Sequence, residues 1–110
     1  MANQPLALDR VFAALSDPTR RGMLARLARG PASVSELAGP FPISLPSVVQ
    51  HLKVLEASGL VSSAKAGRVR TCRIEQERLD AAQAWLSQQR AVWEARFDRF
   101  DAMVKDMKDD

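Results

Sequence analysis

Apolar residues recur along this chain at steps of three and four, with one short interruption where they alternate. Leu8, Val11, Phe12 and Leu15 fall on one face of a first short helix. That helix is too short to stand alone, so the face must pack on something. Ser16-Asp17-Pro18-Thr19 breaks it and starts another, with Asp17 as N-cap and Pro18 at the first position. This second helix is predicted to run to about Arg29, burying Met23, Leu24, Leu27 and Ala28 and leaving Arg20, Arg21, Arg26 and Arg29 in water. Gly30-Pro31 ends it. Ser33 and Glu36 have the spacing of a capping box and open a short helix with Val34, Leu37 and Ala38 inward. Gly39-Pro40-Phe41-Pro42-Ile43 is a stiff turn, plugged into the core by Phe41 and Ile43.

The next stretch, Ser44 to Gly59, has a marked start and stop. Ser44 suits an N-cap, Pro46 tolerates the first turn, and Gly59 can adopt the left-handed conformation that ends a helix. Val48, Leu52 and Leu55 form its apolar stripe. The opposite side carries Leu45, Ser47, Val49, Gln50 and Lys53, mostly short side chains that let the helix approach another surface closely. After Gly59 the period changes to two. Residues 60–65 and 69–74 read as strands around an Ala66-Gly67 turn, with Lys65, Arg68 and Arg70 near the tip. From about Glu77 to Lys108 there is no Gly or Pro. Leu79, Ala82, Leu86, Trp93, Phe97, Phe100 and Val104 step by threes and fours, predicting a helix of roughly thirty residues, about 45 Å long. Trp85, Val92, Met103 and Met107 widen its apolar surface beyond what a small core can cover.

These elements predict a mainly α fold with a small β-hairpin. A helix, a tight turn and a second helix with a small-residue outer face make a helix-turn-helix over residues 33–58, and the hairpin over 60–75 is its wing. The 110 residues suit a single domain, flanked by helices over 8–15 and 76–108. Their surplus apolar surface is most economically covered by a second copy, with Leu8, Val11, Phe12, Leu79, Leu86, Trp93, Phe97 and Phe100 at the two-fold contact.

Charge sharpens this picture. The net charge of +3 is mild, but Ser44 to Arg73 holds five cations against one carboxylate, while Glu94 to Asp110 holds four against six. A polyanion would dock at the middle of the chain. The expected contacts to double-stranded DNA are Ser44, Leu45, Ser47, Val49, Gln50, His51 and Lys53 on the helix and Lys65, Arg68 and Arg70 on the wing. Arg20 and Arg21 could reach phosphate from the second helix, though an exposed helical face explains them nearly as well.

Other chemistries find little support. One His, one Cys and no Gly-rich phosphate loop leave no acid, base and nucleophile constellation, so no enzyme is expected. No metal site or cofactor is expected, and a half-buried His51 bonded to backbone or phosphate is the simplest reading of that residue. No apolar run approaches ~18 residues and no signal peptide is evident, so no membrane partner is expected. A lone Cys72 fits a reducing, cytoplasmic setting. It reads as a packed thiol; a redox-responsive repressor would need its thiolate favoured by Arg70 or Arg73. A protein-interaction module remains the other alternative, since Leu45 and Val49 cannot hydrogen-bond to bases.

Three stretches resemble the ArsR-type winged-helix repressors of bacteria: Leu15-Ser16-Asp17-Pro18-Thr19-Arg20-Arg21, Val34-Ser35-Glu36-Leu37-Ala38, and the run from Pro46 through His51-Leu52-Lys53-Val54-Leu55 to Gly59-Leu60-Val61. The likeness covers about Val11 to Ile74. It implies a homodimeric DNA-binding regulator, usually a repressor of its own operon, acting on an imperfect palindromic operator; the tail resembles the dimerisation helix of members without metal sites. Two departures matter. Metal-sensing members carry two cysteines where Ser33 and Ser35 stand here, and serine is a poor soft-metal ligand. The family often has Gln and Ser where this chain has Leu45 and Val49, which can touch thymine methyls but neither donate nor accept. The effector is not indicated by any residue.

Overall fold

The computed structural model describes residues 3–109, and side chains from residue 7 to residue 108. Its elements run α1 (Asn3–Leu15), α2 (Pro18–Leu27), β1 (Ala32–Ser33), α3 (Val34–Ala38), α4 (Leu45–Ala57), β2 (Val61–Ala66), β3 (Val69–Ile74) and α5 (Gln76–Asp109). The mainly helical reading and the wing follow expectation. The hairpin is, however, part of a three-stranded antiparallel sheet of order β1-β3-β2. The extra strand has only two residues, Ala32 opposite Cys72 and Ser33 opposite Thr71, too few for any alternation to show in the sequence.

Local chemistry sets the boundaries. The Asp17 carboxylate caps α2 by accepting from the Arg20 N–H at 2.9 Å. Ser33 and Glu36 form the expected capping box: the Glu36 N–H donates to Ser33 Oγ at 3.1 Å, and the Ser33 N–H donates to Glu36 Oε1 at 3.0 Å. Ser44 caps α4 through the Ser47 N–H at 3.3 Å. At the other end Gly59, at φ 81°, closes α4 with two reversed bonds: its N–H donates to the Glu56 carbonyl, and the Leu60 N–H to the Leu55 carbonyl. This left-handed closure turns the chain directly into β2.

Two boundaries, and the exposure of two arginines, differ from expectation. α2 stops at Leu27, so Ala28 becomes its C-cap and lies exposed. The wing turn is Gly67-Arg68 rather than Ala66-Gly67, because Ala66 pairs with Val69 across the hairpin. Gly67 has φ 64° and no described non-glycine residue has positive φ, which matches a two-residue turn with glycine first. Arg20 and Arg26 are not fully in water. Arg26 donates to the Gly30 carbonyl at 3.2 Å and lies 3.9 Å from Glu36, and Arg20 is turned inward.

The core joins Val11 and Ala14 of α1, Met23 and Leu27 of α2, Leu37 of α3, the Val48-Leu52-Leu55 stripe of α4, and Leu60, Val61 and Cys72 of the sheet. Phe41 and Ile43 pack against it as half-buried plugs. α5 joins only through its first turns. Ala82 is buried, Leu79 is half-buried, and Trp85 meets Phe12 of α1 edge-on, with ring centroids 5.7 Å apart. The remainder of this 34-residue helix projects away, which stretches the molecule to 74 × 34 × 21 Å. Among the described residues, no helix is long and apolar enough to cross a membrane.

Candidate nucleic-acid interface

The capped start of α4 and its buried stripe fix which side of the helix faces solvent. Ser44, Leu45, Ser47, Val49, Gln50 and Lys53 are all exposed. The serine hydroxyls are partly committed, since Ser44 Oγ donates to Ser47 Oγ at 3.0 Å. His51 differs. It is half-buried, and its Nδ1 lies 3.2 Å from the Arg20 guanidinium, so its partner is a side chain rather than backbone.

The wing begins one residue after the buried Leu60, and β2 and β3 pair without a bulge from Val61–Ile74 to Ala66–Val69. Lys65 and Arg68 stand exposed at its tip. Arg70 is exposed but tethered: its guanidinium donates to Ser63 Oγ at 2.9 Å, and that hydroxyl donates to Glu56 Oε1 at 2.7 Å. This chain of bonds ties the wing to the last turn of α4. Between them lies an open groove of about 460 Å³, lined by Val34, Val49, Leu52, Lys53, Glu56 and Arg70. Lys53 and Arg70 thus flank an otherwise mostly apolar slot beside the outer face of α4.

Sequence reasoning missed the Ser63–Glu56 tether and the inward turn of Arg20. The tether's partners are seven residues apart and on different elements, so no local pattern links them. Asp17 before Pro18 did predict a cap, but gave no hint of where the Arg20 side chain goes.

Along α5, Leu86, Val92, Trp93, Phe97, Phe100, Met103 and Met107 are each roughly half or more exposed. Trp93 and Phe97 stack on one another, with centroids 5.7 Å apart. Leu8 and Phe12 are partly buried beside Trp85. Val11 corrects the sequence reading: at 1% exposure it belongs to the core and offers nothing to a second copy. The stripe of α1 splits, Val11 and Ala14 pointing inward while Phe12 turns toward α5.

Cys72 is fully buried in β3, opposite Ala32 and Ser63. Burial pushes its thiol up, the nearby Glu56 charge adds to this, and Arg70 only partly opposes it. A redox thiol needs exposure and a stabilised thiolate, and this one has neither. Among the described residues, no three His, Cys, Asp or Glu side chains come together as a metal site. Ser33, at the position of a metal-sensor cysteine, serves instead as the N-cap of α3.

Comparison with known proteins agrees with this architecture. A family described as a helix-turn-helix domain matches residues 15–64. The chain is 48% identical over 67 residues to the HTH-type transcriptional regulator Rv2034 of Mycobacterium tuberculosis, covering 61% of this chain and 63% of that protein. It therefore spans a little under two thirds of that relative's length. It is 38% identical over 61 residues to the transcriptional repressor SdpR of Bacillus subtilis, covering 56% of this chain and 68% of SdpR. The crystal structure of the ArsR family transcriptional regulator RHA00566 superposes with a TM-score of 0.78 at 54% identity, over 82% of this chain and 93% of that one. A solution structure of the homodimeric winged helix-turn-helix DNA-binding domain of Mb0332, from Mycobacterium bovis, gives a TM-score of 0.66 at 28% identity, over 86% and 85%. With these similarities and a capped α4 leading straight into a wing, the chain belongs to the ArsR family of winged helix-turn-helix transcriptional regulators.

Proposed function

We propose that the protein is a homodimeric repressor that reads an imperfect palindromic operator. Each subunit lays α4 in the major groove, using Ser44, Leu45, Ser47, Val49, Gln50 and Lys53. Lys65 and Arg68 contact the flanking phosphates, and Arg70, held by Ser63, lines the same side. Leu45 and Val49 fit thymine methyls, while Gln50 is the side chain on this face able to pair in bidentate fashion with an adenine edge. Half-sites then lie about one helical turn (~34 Å) apart.

The single observation that carries this reading is the exposed, lightly charged face of α4 beside a cationic wing, on a chain whose five mid-sequence cations face one carboxylate. The dimer rests on the apolar overhang of α5. Leu8, Phe12, Leu79, Leu86, Trp93, Phe97 and Phe100 form the two-fold contact, and covering them removes a patch that a lone subunit would expose to water. The similarity to a homodimeric DNA-binding domain and to a named repressor supports the same assignment.

The direct test is fluorescence anisotropy with the DNA upstream of the protein's own gene against a random duplex, at ~0.15 M salt. A clear preference for the upstream duplex is expected. Equal affinity for both would refute sequence-specific repression and favour a winged helix that binds protein through the Leu45–Val49 face.

A further inference from the structure

Arg20 sits where three helices meet. Its backbone N–H is held by the Asp17 cap of α2. Its guanidinium reaches back to the last turn of α1, where Nε donates to the Ala14 carbonyl at 2.7 Å and a terminal N–H donates to the Ala13 carbonyl at 3.1 Å. Carbonyls in the last turn of a helix have no partner within the helix, and the bond to Ala14 fills that need; the Ala13 carbonyl is shared with Ser16, whose N–H and hydroxyl also donate to it. The other terminal nitrogen lies 3.2 Å from Nδ1 of His51, in the middle of α4.

An arginine nitrogen can only donate, so His51 Nδ1 must accept. The ring is then neutral with its proton on Nε2. The Asp17 carboxylate oxygen is 3.8 Å from Nδ1, too far for a hydrogen bond, and is already used as the cap. No other charged group joins this cluster among the described contacts.

We propose that Arg20 and His51 are positioning residues for the reading face of α4: through Nδ1, Arg20 clamps the rotation of α4 to the end of α1. This rests on the DNA-reading function above and assigns His51 a role other than contacting DNA. α1 carries Phe12 to the dimer contact, and α4 carries Ser47 and Gln50 to the bases, so one guanidinium couples the pairing surface to the reading surface. With side chains about 5–6 Å from the helix axis, a 10° rotation of α4 moves their tips by about 1 Å. That is enough to spoil directional hydrogen bonds to base edges while leaving phosphate attraction largely intact.

The two ring nitrogens allow a discriminating test. Asparagine places an acceptor near the Nδ1 position, whereas glutamine places its amide near the Nε2 position. His51→Asn, His51→Gln and His51→Ala are compared for binding to a duplex selected from a random library by the wild-type protein, and to a scrambled duplex. The expected result is that His51→Asn keeps the preference within about threefold, while His51→Gln and His51→Ala lose about tenfold or more of it. Binding to the scrambled duplex at low salt and the melting temperature should stay near wild type. Independently, long-range ¹⁵N–¹H correlation spectra of the free wild-type protein should show an unprotonated Nδ1 and a protonated Nε2.

A ring protonated on Nδ1 in the free neutral protein would overturn the proposal. So would preference retained by His51→Gln and lost by His51→Asn, which is the signature of direct phosphate donation from Nε2. Loss in all three variants in step with melting temperature would reduce the contact to fold stability and overturn it as well. If the wild type selects no duplex at all, the DNA-reading function falls and this role falls with it, whereas the spectra still report whether the Arg20–His51 bond exists.

Discussion

Replacing Phe97 by alanine isolates the pairing surface from the rest of the molecule. The ring is 59% exposed in the single subunit and contributes nothing to the core, so the protomer should fold unchanged. Alanine is also the best helix former, which keeps α5 intact. An aromatic side chain offers on the order of 200 Å², so roughly 120 Å² of Phe97 is available to a partner. At about 25 cal/mol per Å² that is ~3 kcal/mol per ring, of which alanine retains a small part, leaving a loss of about 2 kcal/mol per subunit. Two-fold symmetry counts the loss twice, giving about 4 kcal/mol and a Kd for dimerisation raised about a thousandfold. Sedimentation equilibrium from nanomolar to high micromolar protein would measure it, with thermal unfolding as the folding control. A dimerisation constant within threefold of wild type, in a normally folded variant, would refute pairing through α5.

Other expectations follow from the wing, the caps and the thiol. Arg68→Ala should weaken binding to all duplexes alike and lower the slope of log K against log salt by about one unit, seen in anisotropy titrations. Ser33→Ala should cost about 1 kcal/mol of stability in thermal or urea unfolding, because the cap of α3 is lost. Asp17 is held below its usual value of 3.8 chiefly by the Arg20 N–H, and Glu36 below 4.5 chiefly by the Ser33 N–H. Both carboxylates are therefore depressed in the folded state. Their contribution is complete above about pH 4.5 and is lost as pH falls through the lower folded values, a sign that an acid titration of stability would read. Ser33→Ala removes the hydroxyl but keeps the backbone N–H, so it should flatten the Glu36 part of that loss only in part. Cys72 should resist iodoacetamide at pH 8 in the folded protein and react at once in urea, as mass spectrometry would show.

What could be read from the sequence was chiefly what short-range chemistry decides. Asp17, Ser33 and Ser44 each cap a helix through a residue three positions on, and Gly59 closes α4 by its own backbone conformation. The outer face of α4 was legible because its buried stripe has helical period. What escaped was set by contacts between distant segments. β1 exists only because β3 lies alongside it. Val11 and Phe12 are adjacent in sequence, and only the position of α5 decides that one is core and the other is not. The destination of Arg20 depends on α1 and α4 meeting above the start of α2, which no spacing encodes.

The overhanging end of α5 has a further consequence for how such a regulator would respond to its own abundance. If pairing draws mainly on a surface so far from the body, the folded subunit persists when the pair separates. Occupancy of a palindrome then scales with the square of subunit concentration in the dilute regime, and with its first power once pairs predominate. The strength of one helix–helix contact would set the copy number at which a gene passes from weak to firm control, and altering that contact would retune the threshold without touching a single base-reading side chain.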